Sequence, residues 1–289
     1  MIYRTLLVIT LIIFYSCGST KELTTKGPEQ ELPQDKPIDS SSNKLETPLE
    51  PVNEIPLSPK PPNPLEKKSS KDSGPLSFNH NLWDGLLQKY VSNTGKVNYS
   101  GFKTEKTQLH AYLNALSQNM PNDSWSKQAI LAYWINAYNA MTIDLILRYY
   151  PIKSIKDIKK PWEQRHWELA GKWHNLNEIE HAILRKMDDP RIHFAIVCAA
   201  VSCPKLSNKA YVETQLDDQL NNAAKVFLND RSKNELSPTK LELSKIFQWF
   251  SKDFKQNGSL VDFLNQYSKS PISEKAKKTF KNYNWDLNN

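Results

Sequence analysis

Residues 124–149 read SWSKQAILAYWINAYNAMTIDLILRY, one long helical segment that Pro151 closes. Shorter segments flank it. Trp83, Leu86, Leu87, Tyr90 and Val91 follow i, i+3, i+4, i+7, i+8, the spacing of a short amphipathic helix. Leu176 to Glu180 reads as a helix start, with Asn177 as cap and Glu180 three residues on, as in a capping box. Ile179, Ile183 and Met187 form the expected buried stripe of that helix. Residues 192–198 (IHFAIVC) predict a strand from their β-branched and aromatic content and the proline boundary before them. Residues 216–228 read as helix, and Thr239, Leu241 and Leu243 alternate as a short edge strand. Ile246, Trp249, Phe250 and Phe254 predict another helix, and residues 260–267 a last one capped by Ser259. Helices dominate and no βαβ alternation recurs. The fold class is therefore α+β, a helix-rich single domain with a small β-sheet.

That domain occupies residues 77–289. Aromatic residues reappear at Phe78, and all eight tryptophans lie from Trp83 onward. Residues 18–76 contain no Phe, Trp or Tyr and hold 11 of the 18 prolines, so they read as a disordered tether that cannot bury enough apolar surface to offset its ordering entropy. Its Pro59–Pro64 stretch favours extended polyproline II, and at about 3 Å per residue the tether reaches on the order of 100 Å. Residues 1–17 read as an export signal. Arg4 supplies the positive end, and residues 6–15 (LLVITLIIFY) form an apolar run too short to span a bilayer. Ser16-Cys17-Gly18 then resembles the lipobox of bacterial lipoproteins, which implies cleavage before Cys17 and lipidation of its sulfur and new amine. The expected location is the bacterial cell envelope, with the membrane as partner through Cys17. The alternative is an ordinary signal peptide with an incidental cysteine.

Composition removes several classes. Three cysteines exclude a disulfide framework. No apolar run reaches 18 residues, no period repeats, and GxxxxGK[ST], GxGxxG and CxxC are all missing. Residues 77–289 carry 29 basic and 21 acidic residues, a net charge of +8 that favours anionic partners such as lipid headgroups. The lysines are scattered, and nucleic acid is not an expected partner outside the cytoplasm.

Several blocks together resemble one family: residues 134–140 (WINAYNA), 176–185 (LNEIEHAILR), 189–198 (DPRIHFAIVC), Ser202-Cys203-Pro204, and 283–288 (YNWDLN). They look like the domain of unknown function 547, over roughly residues 80–289 and in the family's order. The resemblance implies a fold related to papain-like or transglutaminase-like thiol enzymes, and it favours Cys198 over Cys203 as nucleophile. One departure weakens the carry-over. Such enzymes place their cysteine at the start of a core helix, where the long helix here offers Asn136.

The enzyme reading is a thiol hydrolase or acyltransferase acting on peptide or isopeptide bonds. Cys198 is its nucleophile, His181 or His193 its base, and Asn136 or Asn139 the orienting group. On one continuous strand, His193 and Cys198 would point to opposite faces about 16 Å apart, so their pairing requires a break between them. Cys198 with His181, Cys203 with His193, and a Cys198–Cys203 disulfide are the alternatives. The bland reading of Asn136 and Asn139 is that they satisfy backbone groups of a neighbouring loop. Glu178, His181 and Arg185 share one helix face, as a salt-bridge ladder or as a cleft lining in which Arg185 holds a carboxylate. Glu178-x-x-His181 is half of a di-metal motif whose second copy is missing, so no metal or cofactor is expected. His166 and His174, with Trp162, Trp167 and Trp173, read as a β-hairpin around Gly171, either core or a glycan surface. The competing function is a non-catalytic envelope module in which the same polar residues hold a peptide or glycan.

Overall fold

The computed structural model describes residues 77–289. The expected signal segment, Cys17 and the expected Pro-rich tether lie outside the described residues. The fold is the helix-rich α+β arrangement that the sequence predicts, built around one central helix. Helices α1 (Asn81–Tyr90), α2 (Tyr99–Thr104) and α3 (Lys106–Gln118) precede α4 (Lys127–Tyr149), which Ser126 caps by accepting from the Ala129 amide. Every residue of α4 from Leu131 to Leu147 is buried. A helix buried all round has no polar face, so its polar residues must find partners inside the protein. Asn136, Asn139, Thr142 and Asp144 do so, and they set where the surrounding chain lies.

A short hairpin follows, β1 (Trp167–Leu169) and β2 (Lys172–His174), paired Trp167 to His174 across a turn at Ala170-Gly171. Both turn residues have positive φ, the geometry a two-residue hairpin demands. Then α5 (Leu176–Glu178) runs into a π-helical turn (Ile179–Ile183) and a 3-10 turn (Leu184–Met187). Helix α6 (Leu216–Asn229) leads to β3 (Glu235–Leu236) and β4 (Lys240–Leu243). Next come α7 (Ile246–Trp249), a 3-10 turn (Asp253–Lys255) and α8 (Leu260–Asn265), which Ser259 and Asp262 close with a capping box. Finally β5 (Lys277–Phe280) pairs parallel to β4, giving the sheet order β3-β4-β5.

Four local expectations change. Residues 192–198 do not form a strand. Asp189 caps a 3-10 turn (Pro190–Phe194) with Pro190 at its start, and the apolar run is buried without a strand partner. The helix after the hairpin is capped by Asn175, which accepts from the Glu178 amide, so the capping frame sits two residues before Asn177. Strand β4 is central, because the lysine-rich segment 277–280 adds a partner on its other side. The helix expected over residues 246–254 breaks after Trp249.

The last stretch of the chain closes the molecule. The amides of Val201 and Ser202 donate to Asp286 and Asn284, Leu287 donates to Lys153, and Val97 donates to Asn288. The strap at 283–289 thereby ties the loop before α2, the segment after α4 and the loop carrying Cys198 and Cys203 to one another.

Candidate functional site

The loop at residues 195–204 is fixed from below by α4. Asn139 donates to the Ala195 carbonyl at 2.9 Å and accepts from the Val197 amide at 3.0 Å. Asn136 does the same for Tyr211, at 2.7 and 3.0 Å. The side-chain amides imitate a strand partner, and satisfying a neighbouring loop is what both residues do. Neither hydrogen-bonds a histidine among the described residues.

Held this way, the chain turns back after Cys198. Ala199 takes a positive φ of 56°, Cys203 donates its amide to Ala200, and the two cysteines meet as free thiols. The sulfurs are 2.7 Å apart, and the Cys198 amide also donates to the Cys203 sulfur at 2.8 Å. The Tyr283 hydroxyl lies 3.2 Å from the Cys198 sulfur. Burial and the adjoining Cys203 push the Cys198 thiol well up. Burial also raises Cys203, but the Cys198 thiol and amide, Tyr283 and nearby Lys233 outweigh it and leave Cys203 below its ordinary value. The two thiols are close enough to titrate as a pair, with Cys198 the weaker acid of the two. Cys203 is buried and Cys198 half-buried. Tyr283 packs against Trp249 and Trp285, at 4.8 and 4.6 Å between ring centroids, so the half-buried sulfur sits beside an aromatic rim.

The other expected site residues gather elsewhere. His193 is buried, stacked on Phe250 at 4.0 Å, with Nε2 2.7 Å from Asp253 Oδ2. Arg185 grips the same carboxylate through Nε and Nη2, at 2.7 and 2.9 Å, and its Nη1 donates to His181 Nδ1 at 2.7 Å. Burial raises the Asp253 carboxyl, yet Arg185 and His193 hold it far below the usual range. Burial lowers His193 more than Asp253 raises it. Asp253 is thus an anion between a guanidinium and a neutral imidazole. Glu178 is not part of this ladder. It turns the other way and pairs with Arg165. The π-turn separates it from His181 and Arg185, which replaces the regular face expected of residues 178–185.

Glu180, also on the π-turn, is buried against the Tyr138 hydroxyl at 3.0 Å, and burial pushes its carboxyl up to about 7. Tyr138 stands between the two groups. Burial raises its hydroxyl first, and then Glu180 and the two thiols do so by their charge. The thiol pair and the His193–Asp253–Arg185–His181 network are distinct constellations flanking one helix. Among the described residues no histidine hydrogen-bonds either thiol, and no group of His, Cys, Asp and Glu side chains could hold a metal ion. Asp253 carried no warning in spacing or motif, and Glu180 stood out only as a capping-box residue. Tyr283 lay inside a recognisable block, 283–288, with nothing to give it a role.

Residues 122–228 match a family model described as "Protein of unknown function, DUF547". The matched stretch runs from just before α4 to the end of α6. It contains both clamping asparagines, His181, Arg185, His193 and the two cysteines, and it stops short of Asp253 and Tyr283. No curated protein and no solved structure matches the chain.

Proposed function

We propose that the protein is an exported lipoprotein, acylated at Cys17, whose domain exchanges thiols with disulfides through Cys198 and Cys203. One observation carries the chemistry: two free thiol sulfurs in contact at a half-buried rim. Cys198 gives its proton to water, and its sulfur attacks one sulfur of a partner disulfide. The partner S–S bond breaks, and the other partner sulfur leaves as a thiolate. Cys203 gives its own proton to that thiolate and attacks the Cys198 sulfur. The mixed disulfide breaks, the second partner thiolate departs, and the pair is left as a Cys198–Cys203 disulfide. Two electrons have moved to the partner, and every proton is placed.

Acyl transfer at Cys198 fits the same geometry less well. A leaving amine must be protonated, and the imidazole of His193 is bonded to Asp253 rather than to a thiol. A leaving thiolate needs no such acid near neutral pH. Export to an oxidising compartment supports the redox reading.

The test is to treat the reduced full chain with oxidised glutathione and follow both cysteines by mass spectrometry. The expected product is the internal disulfide with two glutathione thiols released. Cys203→Ser is expected to stop at a stable glutathione adduct on Cys198. A wild-type chain that stops at that adduct, or keeps both thiols under oxidant, refutes the proposal.

A further inference from the structure

A second polar centre lies where α3, α4 and the β1–β2 hairpin meet, and it shares no residue with the thiol pair or the His193 network. Its floor is Asp144, fully buried in the middle of α4. Three donors converge on that carboxylate: His110 Nε2 at 2.9 Å, Arg148 Nε at 2.8 Å and Trp167 Nε1 at 2.9 Å. Above it runs a groove of about 430 Å³, lined among others by His110, Asn114, Arg148, Trp167 and Glu168. This is within the size range of small-ligand sites.

The binding of Arg148 is unusual for a helix-surface arginine. Among the described residues it hydrogen-bonds through Nε alone, and its side chain is 31 % exposed. Asp144 holds Nε from inside the protein, Arg148 lines the groove, and no hydrogen bond among the described residues takes either Nη. A guanidinium anchored this way is a preorganised fork for a second, external oxyanion. The groove wall says which one. Glu168 belongs to the lining and disfavours a ligand with further negative charge, such as phosphate or a dicarboxylate. Ala170 and the edge of Leu113 supply apolar surface over the buried Met141 and Leu169, and Asn114 offers an amide to a polar backbone group.

We infer that this groove binds the free carboxyl end of a peptide, with the terminal carboxylate on Arg148 and an apolar last side chain against Leu113 and Ala170.

The indole N–H of Trp167, bonded to Asp144 at the groove floor, reports occupancy by NMR in the full chain. N-acetyl-leucine is expected to shift it saturably, and N-acetyl-leucinamide to bind about tenfold or more weakly, the difference one charge-assisted fork makes. Glucuronate and inorganic phosphate are expected to be no better than the amide. Arg148→Lys, which keeps the charge and loses the fork, is expected to lose a similar factor for the acid alone. The inference is overturned if the amide binds as well as the acid, if glucuronate or phosphate binds better, or if nothing saturates. The acid–amide comparison uses only the unmodified chain, so it decides the matter even if the variant fails to fold.

Discussion

Asn139 meets the backbone twice, at Ala195 and Val197, inside the protein. Asn139→Leu leaves a buried carbonyl and a buried amide unpaired, at a cost of about 3 kcal/mol. Urea unfolding of the full chain should show that loss, and alkylation of Cys198 should quicken as its loop is released. Asparagine is a poor helix former, so both residues stood out in the sequence, but their partners were beyond its reach. Glu180 makes a second residue-scale case. Its carboxyl rises from 4.5 to about 7 in the folded protein. Between those values the folded state keeps a proton that the unfolded chain has released. Its contribution to stability is therefore full below pH 4.5 and is lost as pH climbs to 7, by roughly 3 kcal/mol. His80, lowered by burial from 6.5 to about 4, acts with the opposite sign over nearly the same window. The wild-type profile alone therefore conceals both. The difference in stability between wild type and Glu180→Gln, measured across this window, isolates the carboxyl, and a flat difference would contradict its burial as an acid.

At the scale of elements, the chain replaces strands with amide side chains. Asn234 bridges Phe227 and Ser244, Asn265 closes on Ile272, and Gln219 spans Ala210 and Val212. This explains which parts of the fold could be read in advance. Segments whose signals lie within their own stretch, such as the amphipathic spacing of α1 and α6, the long apolar run of α4 and the glycine turn of the hairpin, were legible. Segments ordered by a distant amide were not, and IHFAIVC is the clearest example: its apolar content reported burial, which a strand and a clamped turn share equally. The π-turn at Ile179–Ile183 was likewise hidden, because a regular helix and a helix with one extra residue have the same composition. The candidate site was half legible. Cys198, Cys203 and His193 drew attention by chemistry, whereas Asp253 joins His193 from 60 residues away with no local signal. The hairpin offers an element-scale prediction. Ala170 holds a φ of 48° beside Gly171, a position that suits asparagine better. Ala170→Asn should raise stability by about 0.5–1 kcal/mol, visible as a higher melting temperature.

For the whole molecule, the proposed anchor and the strap matter most. If Cys17 carries lipid, Cys17→Ser should move the protein from the membrane fraction to the soluble one. Ending the chain after Lys281 removes Tyr283, Trp285 and the hydrogen bonds that hold Val201 and Ser202. Such a chain should unfold at a markedly lower temperature and alkylate at Cys198 far faster than wild type.

The same strap sets a clock. Synthesis, and export if it follows as proposed, deliver the chain in order, and the loop that holds the two thiols emerges some eighty residues before the segment that covers it. For that interval Cys198 and Cys203 are present without Tyr283 or the aromatic rim, open to any oxidant or stray thiol in the compartment they enter. A folding helper that shields thiols would matter to this protein only during that interval, and would become dispensable once residue 287 has reached the loop.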